Sequence, residues 1–167
     1  RVAFRAPSEK DAMEPATEML LRILDDGMST RLYERICDRL GLCYDVSGAF
    51  ETYEDDGVVD VAAGARHSRT PQVAREIFAL LHELCDQGPT EAEMEKARDR
   101  HLWSVEAMQD DPEETSAFHG LAALAGITRS PMVRHEQLCV VTREGVRDAA
   151  QRIFRPDRLS VTAVGLL

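Results

Sequence analysis

The chain has 167 residues, 44% hydrophobic and 30% charged, which suits one domain with a core of its own. A domain near this size buries roughly 70% of the surface its unfolded chain exposes, so it needs neither disulfides nor a metal to fold. Thirty acidic side chains against twenty basic ones give a net charge of -10, which argues against nucleic acid as a partner because phosphates require a basic face. No apolar run approaches the roughly 20 residues needed to span a membrane. The chain opens at Arg1 without an initiator Met. It is therefore read as a single domain over 1–167, a fragment of a longer chain whose targeting signal would lie upstream.

Taken in order, Val2 to Ala6 predicts a short strand ending at Pro7. A helix follows with Pro15 in its first turn, where a missing N–H costs little. Met13, Ala16, Leu20, Ile23 and Leu24 fall on one of its faces, and Gly27 stops it. Ser29 or Thr30 is expected to cap a second helix whose apolar stripe is Leu32, Ile36 and Leu40, with Gly41 as its stop. The period then changes to two. Tyr44, Val46 and Phe50 share one strand face, Glu54 to Gly57 make an Asp-Gly turn, and Val59, Val61, Ala63 and Ala65 alternate on the returning strand. This is a β-hairpin.

Thr70-Pro71 is expected to open the next helix as cap and first residue, with Val73, Ile77, Leu80, Leu81 and Leu84 buried and Gly88-Pro89 as its end. Thr90 and Glu93 form a capping box that launches the following helix. Asp111-Pro112, Ser130-Pro131 and Thr142 each start a further helix, and Leu159 to Val164 reads as a closing strand. The order implies an α+β fold: an antiparallel or mixed sheet with helices packed mainly on one face and some helices stacked on others.

The search for chemistry returns no complete catalytic constellation. Of the five histidines, neither His82-Glu83 nor His135-Glu136 extends to H-E-x-x-H or H-x-x-E-H. His135 and Cys139, four apart, could share a metal in geometry, but no third ligand is near in sequence. His82 and His101 read as core or half-buried histidines. The doublets Asp25-Asp26, Asp55-Asp56 and Asp110-Asp111 sit at predicted turns or helix starts and act there as turn formers or caps. The four cysteines, Cys37, Cys43, Cys85 and Cys139, form no C-x-x-C pair and read as free and buried, with disulfides in an oxidising compartment the alternative that their even count leaves open.

One stretch is more specific. Gly27-Met28-Ser29-Thr30-Arg31-Leu32-Tyr33, then a helix, then Gly41-Leu42-Cys43-Tyr44-Asp45-Val46, resembles the second-half domain of the M16 zinc metallopeptidases, the family of pitrilysin, insulin-degrading enzyme and mitochondrial processing peptidase. The order of elements over nearly the whole chain agrees. The resemblance implies a LuxS/MPP-like metallohydrolase fold and a role as the non-catalytic, substrate-binding and chamber-forming half of a zinc-dependent metalloendopeptidase acting on peptides. It implies no catalytic residue and no metal ligand in this chain, with zinc bound by a catalytic H-x-x-E-H half in the same or a separate chain. It also implies a peptide contact through a tyrosine and an arginine. Tyr44 matches that tyrosine. The arginine is expected seven residues earlier, where this chain has Cys37. Arg35 and Arg39 flank that position and Arg31 lies one or two turns back, so the substrate-binding candidates are Tyr44, Arg31 and Arg35. The altered position also admits an alternative, a catalytically inactive scaffold or assembly protein of the same fold. The family's bacterial members lean the compartment toward the periplasm over the cytoplasm.

Overall fold

The computed structural model describes residues 1–165. Four strands, β1 (Val2–Ala6), β2 (Cys43–Thr52), β3 (Gly57–Ala65) and β4 (Leu159–Val161), form one sheet in the order β2-β3-β1-β4. Every neighbouring pair is antiparallel. The helices are α1 (Glu14–Leu24), a π-helix over Tyr33–Arg39, α2 (Thr70–Gln87), α3 (Glu91–Gln109), α4 (Pro112–Leu124), α5 (Pro131–Cys139) and α6 (Arg143–Ile153).

Side-chain alternation fixes which sheet face is covered. Phe50, Val59, Phe4 and Leu159 lie across the four strands in one row of paired positions. Val59 and Phe4 are buried, and Phe4 meets Phe154 edge-to-face with ring centroids 5.1 Å apart. The opposite face carries the exposed Arg5 and Val58 and the Arg1–Asp60 ion pair. α1, α2 and α6 cover the apolar face, touching β2, β3 and β1 respectively. α3 and α5 stack outside α1, and α4 joins α3. The helices are thus in two layers on one side, as their number required.

The local signals for helix starts are realised where they are self-contained. Thr90 and Glu93 complete both halves of the capping box, and the Ser130 and Thr142 hydroxyls accept from Val133 and Gly145 N–H. Three expectations change. Thr70 is not a cap: a 3₁₀ turn over His67–Arg69 precedes it, so Thr70 already has helical dihedrals. Leu40 leaves the predicted stripe and is 41% exposed while Leu32 and Ile36 are fully buried. The π-helix is the cause, because bonds such as Leu40 N–H to the Arg35 carbonyl at 3.2 Å widen the turn and carry position 40 past the buried face. Tyr44 leaves the face of Val46 and Phe50, because a bulge between Cys43 and Asp45 shifts the register.

Asp25 also differs from expectation. It does not serve the turn; its Oδ2 accepts the Gly48 N–H of β2 at 2.7 Å. Its neighbour Asp26 pairs with Arg22 at 2.9 Å. The closing strand is shorter than expected, ending at Val161.

Candidate functional site

The turn after α1 is built around Gly27, which adopts φ 98, a left-handed value that favours glycine. Thr30 Oγ1 donates to the Gly27 carbonyl at 2.6 Å, which tightens the turn into the following helix. Arg31 then projects toward the junction of α2 and α3. It grips Glu93 with both Nε and Nη2, at 2.6 and 2.8 Å, and reaches the Gly88 carbonyl at 3.3 Å. Burial alone would raise the Glu93 carboxyl, but hydrogen bonds from Arg31 and from Thr90 outweigh it and hold the group down to about 2. A pocket of about 270 Å³ opens beside this pair, and Arg22, Lys96 and Arg100 give it a basic wall.

Arg35 is similarly engaged. Its Nε donates to Glu76 at 2.9 Å and its Nη1 to Glu83 at 2.6 Å, which ties the π-helix to α2. Those hydrogen bonds, from Glu83 foremost, push the guanidinium above its ordinary value. Arg39 is largely exposed and meets Glu34 at 3.6 Å. Cys37, at the expected arginine position, lies 3.9 Å from Cys43 Sγ. Burial first, and then Cys43, push its thiol up to about 11.

Tyr44 stands apart from these arginines' partners. The bulge lifts it clear of the sheet, and it is 97% exposed. Its phenol makes no hydrogen bond among the described residues. Tyr44 is open to solvent, while Arg31 pairs with Glu93 and Arg35 with Glu76 and Glu83. One neighbour escaped the sequence reading. Arg69, in the 3₁₀ turn before α2, donates through Nη1 to the Gly41 carbonyl just ahead of Tyr44. Only the Arg-rich run before Thr70-Pro71 hinted at it.

A second polar cluster lies between α1, α3 and α5 and had no local signal at all. Arg134 is buried and bonds Glu18 through Nε at 2.9 Å and Glu14 through Nη2 at 2.5 Å. Burial pushes the Glu14 carboxyl up despite Arg134. The same burial would raise Glu18, but Arg134 and Arg22 hold it below the usual range. A cavity of about 590 Å³ borders this cluster, with Phe50, Met108, Phe118 and Leu121 on its apolar side. His101 is buried as expected, but His82 is exposed and pairs with Asp86 at 2.9 Å on the outer face of α2. All four cysteines are free; Cys139 is exposed, against expectation. Among the described residues no three His, Cys, Asp or Glu side chains converge as metal ligands, so the groups present do not fit a zinc site.

Residues 1–100 match the family model described as the peptidase M16 inactive domain. The chain belongs to that family. An uncharacterized zinc protease of Rickettsia bellii is 29% identical over 139 residues, which cover 83% of this chain and 34% of the relative. The chain thus spans about a third of that relative's length. A protease from Helicobacter pylori superposes with a TM-score of 0.87 at 17% identity, over 95% of this chain and 38% of the other. The inactive peptidase domain solved from Bordetella parapertussis gives 0.81 at 18% identity, over 95% and 87%. These relatives are all bacterial, and the fold of this M16 inactive domain is theirs. Among its described residues no helix is long and apolar enough to cross a membrane.

Proposed function

We propose that this M16 inactive domain, a single half domain over 1–167, is the substrate-binding and chamber-closing half of a zinc-dependent metalloendopeptidase that cleaves peptides. Its partner is a catalytic half carrying H-x-x-E-H, in the same chain or a separate one, and that half binds the zinc. Family membership supports the pairing, and the zinc-protease name of the Rickettsia relative supports the activity. The observation that carries the site is Tyr44, a tyrosine 97% exposed on a strand bulge, with its hydroxyl free to meet a peptide. When bound in the partner half, the zinc supplies Lewis-acid activation of the scissile carbonyl. This chain's part is to hold the substrate. The Tyr44 hydroxyl donates to a peptide carbonyl, and the bulge keeps the ring turned away from the sheet. Arg31 and Arg35 act behind it, fixing the turn and the π-helix from which β2 starts. The periplasm is the proposed compartment.

Replacing Tyr44 by Phe or Ala in the full-length enzyme removes one hydrogen bond worth about 1–2 kcal/mol. That raises KM for a peptide roughly five- to thirtyfold while the melting temperature holds, because the side chain packs on nothing. Unchanged peptide kinetics in Tyr44→Ala would remove Tyr44 from the site.

The scaffold reading keeps one specific observation in its favour. Cys37 turns toward Cys43 at the position where an arginine is expected, so no guanidinium projects there. The two readings separate on one assay: chelator-sensitive peptide cleavage by the full-length protein, or by this domain with its partner half. Its absence in a partner-complete preparation favours the scaffold.

A further inference from the structure

Four side chains on three helices form a line that reaches solvent. Glu18 on α1 stands at one end. His101 on α3 places Nε2 3.7 Å from Glu18 Oε1. Its Nδ1 lies 3.1 Å from Nδ1 of His135 on α5, and the two rings stack with centroids 5.3 Å apart and planes 4° from parallel. His135 Nε2 then meets Cys139 Sγ at 3.3 Å, one turn further along α5. Cys139 is exposed, so the line ends at the surface.

One arrangement of the ring protons joins all four groups. Burial is the main influence on His101, and Arg22, His135 and Arg134 add to it; together they outweigh Glu18 and push the imidazole down to about 4. At neutral pH it therefore carries one N–H. In the tautomer with that N–H on Nε2, toward the Glu18 carboxylate 3.7 Å away, Nδ1 is a lone pair. The 3.1 Å contact then requires His135 to donate from its own Nδ1. The remaining lone pair of His135, on Nε2, faces the Cys139 thiol. A nucleophile, a base in hydrogen-bond reach and a group orienting the base is the arrangement that activates weak nucleophiles. If His135 takes the thiol proton, its Nδ1–H still donates to the neutral His101, with the Glu18 carboxylate beyond.

We propose that Cys139 is a nucleophilic thiol activated by His135, and that it is a site of reversible modification by low-molecular-weight disulfides. The Sγ proton moves to His135 Nε2 and the thiolate attacks one sulfur of the small disulfide. A Cys139 S–S bond forms, the original S–S bond breaks, and the departing thiolate takes the proton back from His135 as a thiol. Cys139 is oxidised and the leaving sulfur reduced, so electrons balance without another reactant. No second cysteine is placed to complete an internal bridge among the described residues. Cys37 sits with Cys43, and Cys85 lies at the end of α2, where Arg147 and Gln151 bind its carbonyl. Release therefore falls to an external thiol. The other cysteines serve as internal standards, since burial pushes the thiols of both Cys37 and Cys85 up and slows their reaction. His101 is a positioning residue in this scheme.

The test is a time course of the full-length protein with glutathione disulfide at pH 7, read by peptide mass mapping of all four cysteines. Cys139 is expected to form the mixed disulfide about tenfold or more faster than Cys37, Cys43 or Cys85. His135→Gln is expected to slow Cys139 by about the same factor and to alter its rate–pH profile, because the base facing the thiol is gone. His101→Gln is expected to alter that profile as well, with the Cys85 rate unchanged. The groups facing the relay through these changes are Glu18 and Arg22 from α1 and Arg134 from α5. His101 is buried, so the variant at the half-exposed His135 decides the matter. Modification of Cys139 no faster than of Cys85 overturns the proposal. So does a His135→Gln protein with an unchanged rate and pH profile.

Discussion

Arg31→Met tests whether this arginine holds the scaffold together. The guanidinium is 18% exposed and its Glu93 partner 27%. Holding Glu93 down to about 2, from an ordinary carboxyl near 4.5, corresponds to roughly 3 kcal/mol in favour of the ionised form. Screening at a partly exposed site and the share owed to Thr90 reduce the Arg31 part to about 1–2 kcal/mol. Losing the contact to the Gly88 carbonyl adds up to about 1 kcal/mol. The variant should therefore be less stable at pH 7 by about 1–3 kcal/mol, a fall in Tm of roughly 2–12 °C for a domain of this size. The pH dependence follows in sign. Glu93 is depressed in the folded state, so its stabilisation is complete above its unfolded value near 4.5 and fades as pH drops toward about 2. Denaturant unfolding of wild type and Arg31→Met should converge across that window. A double-mutant cycle with Glu93→Gln should give a coupling near 1 kcal/mol or more. An Arg31→Met protein with wild-type stability and no coupling to Glu93, but weakened peptide binding, would refute the reasoning and return Arg31 to the substrate.

Arg134→Met leaves two carboxylates, Glu14 and Glu18, without their buried partner, and unfolding should show a loss of about 3–5 kcal/mol; a loss below 1 kcal/mol would mean water already reaches them. Gly57→Ala places a Cβ against the backbone carbonyl of Pro7, which cannot swing aside as a side chain would, so a chemical denaturation midpoint should fall by the equivalent of about 1–3 kcal/mol. Met94→Ala removes a fully buried side chain from the α3 face and should cost about 2–5 kcal/mol by the same measurement.

What the sequence disclosed divides by distance along the chain. The capping box at Thr90, the caps at Ser130 and Thr142 and the hairpin turn are made by residues within three or four positions of one another, so residue type and spacing sufficed. The π-helix and the bulge at Tyr44 are local too, yet they insert a residue into a repeat, and a periodicity argument carries the wrong phase past such a point. Leu40 and Tyr44 were misplaced for that reason. The ion pairs were invisible for another. Arg31 finds Glu93 62 residues later and Arg134 finds Glu14 120 residues earlier, and nothing in either neighbourhood names the partner. The stretch that suggested the family was legible as a motif, while the division of labour within it, with one side chain free and two engaged, required coordinates. The line from Glu18 to Cys139 was legible only at its outer step, where His135 and Cys139 are one helical turn apart.

Asp25 has a consequence for how copies of this molecule meet. β2 is the first strand in the sheet order, with no strand beyond it among the described residues, so its outer backbone could template pairing with another chain. The Asp25 carboxylate already occupies the Gly48 N–H at the middle of that edge, and it puts a negative charge where an incoming strand would have to lie. A carboxylate that looked in the sequence like a turn former thus occupies part of a sheet edge in the folded chain, and a strand pairing there would meet its charge.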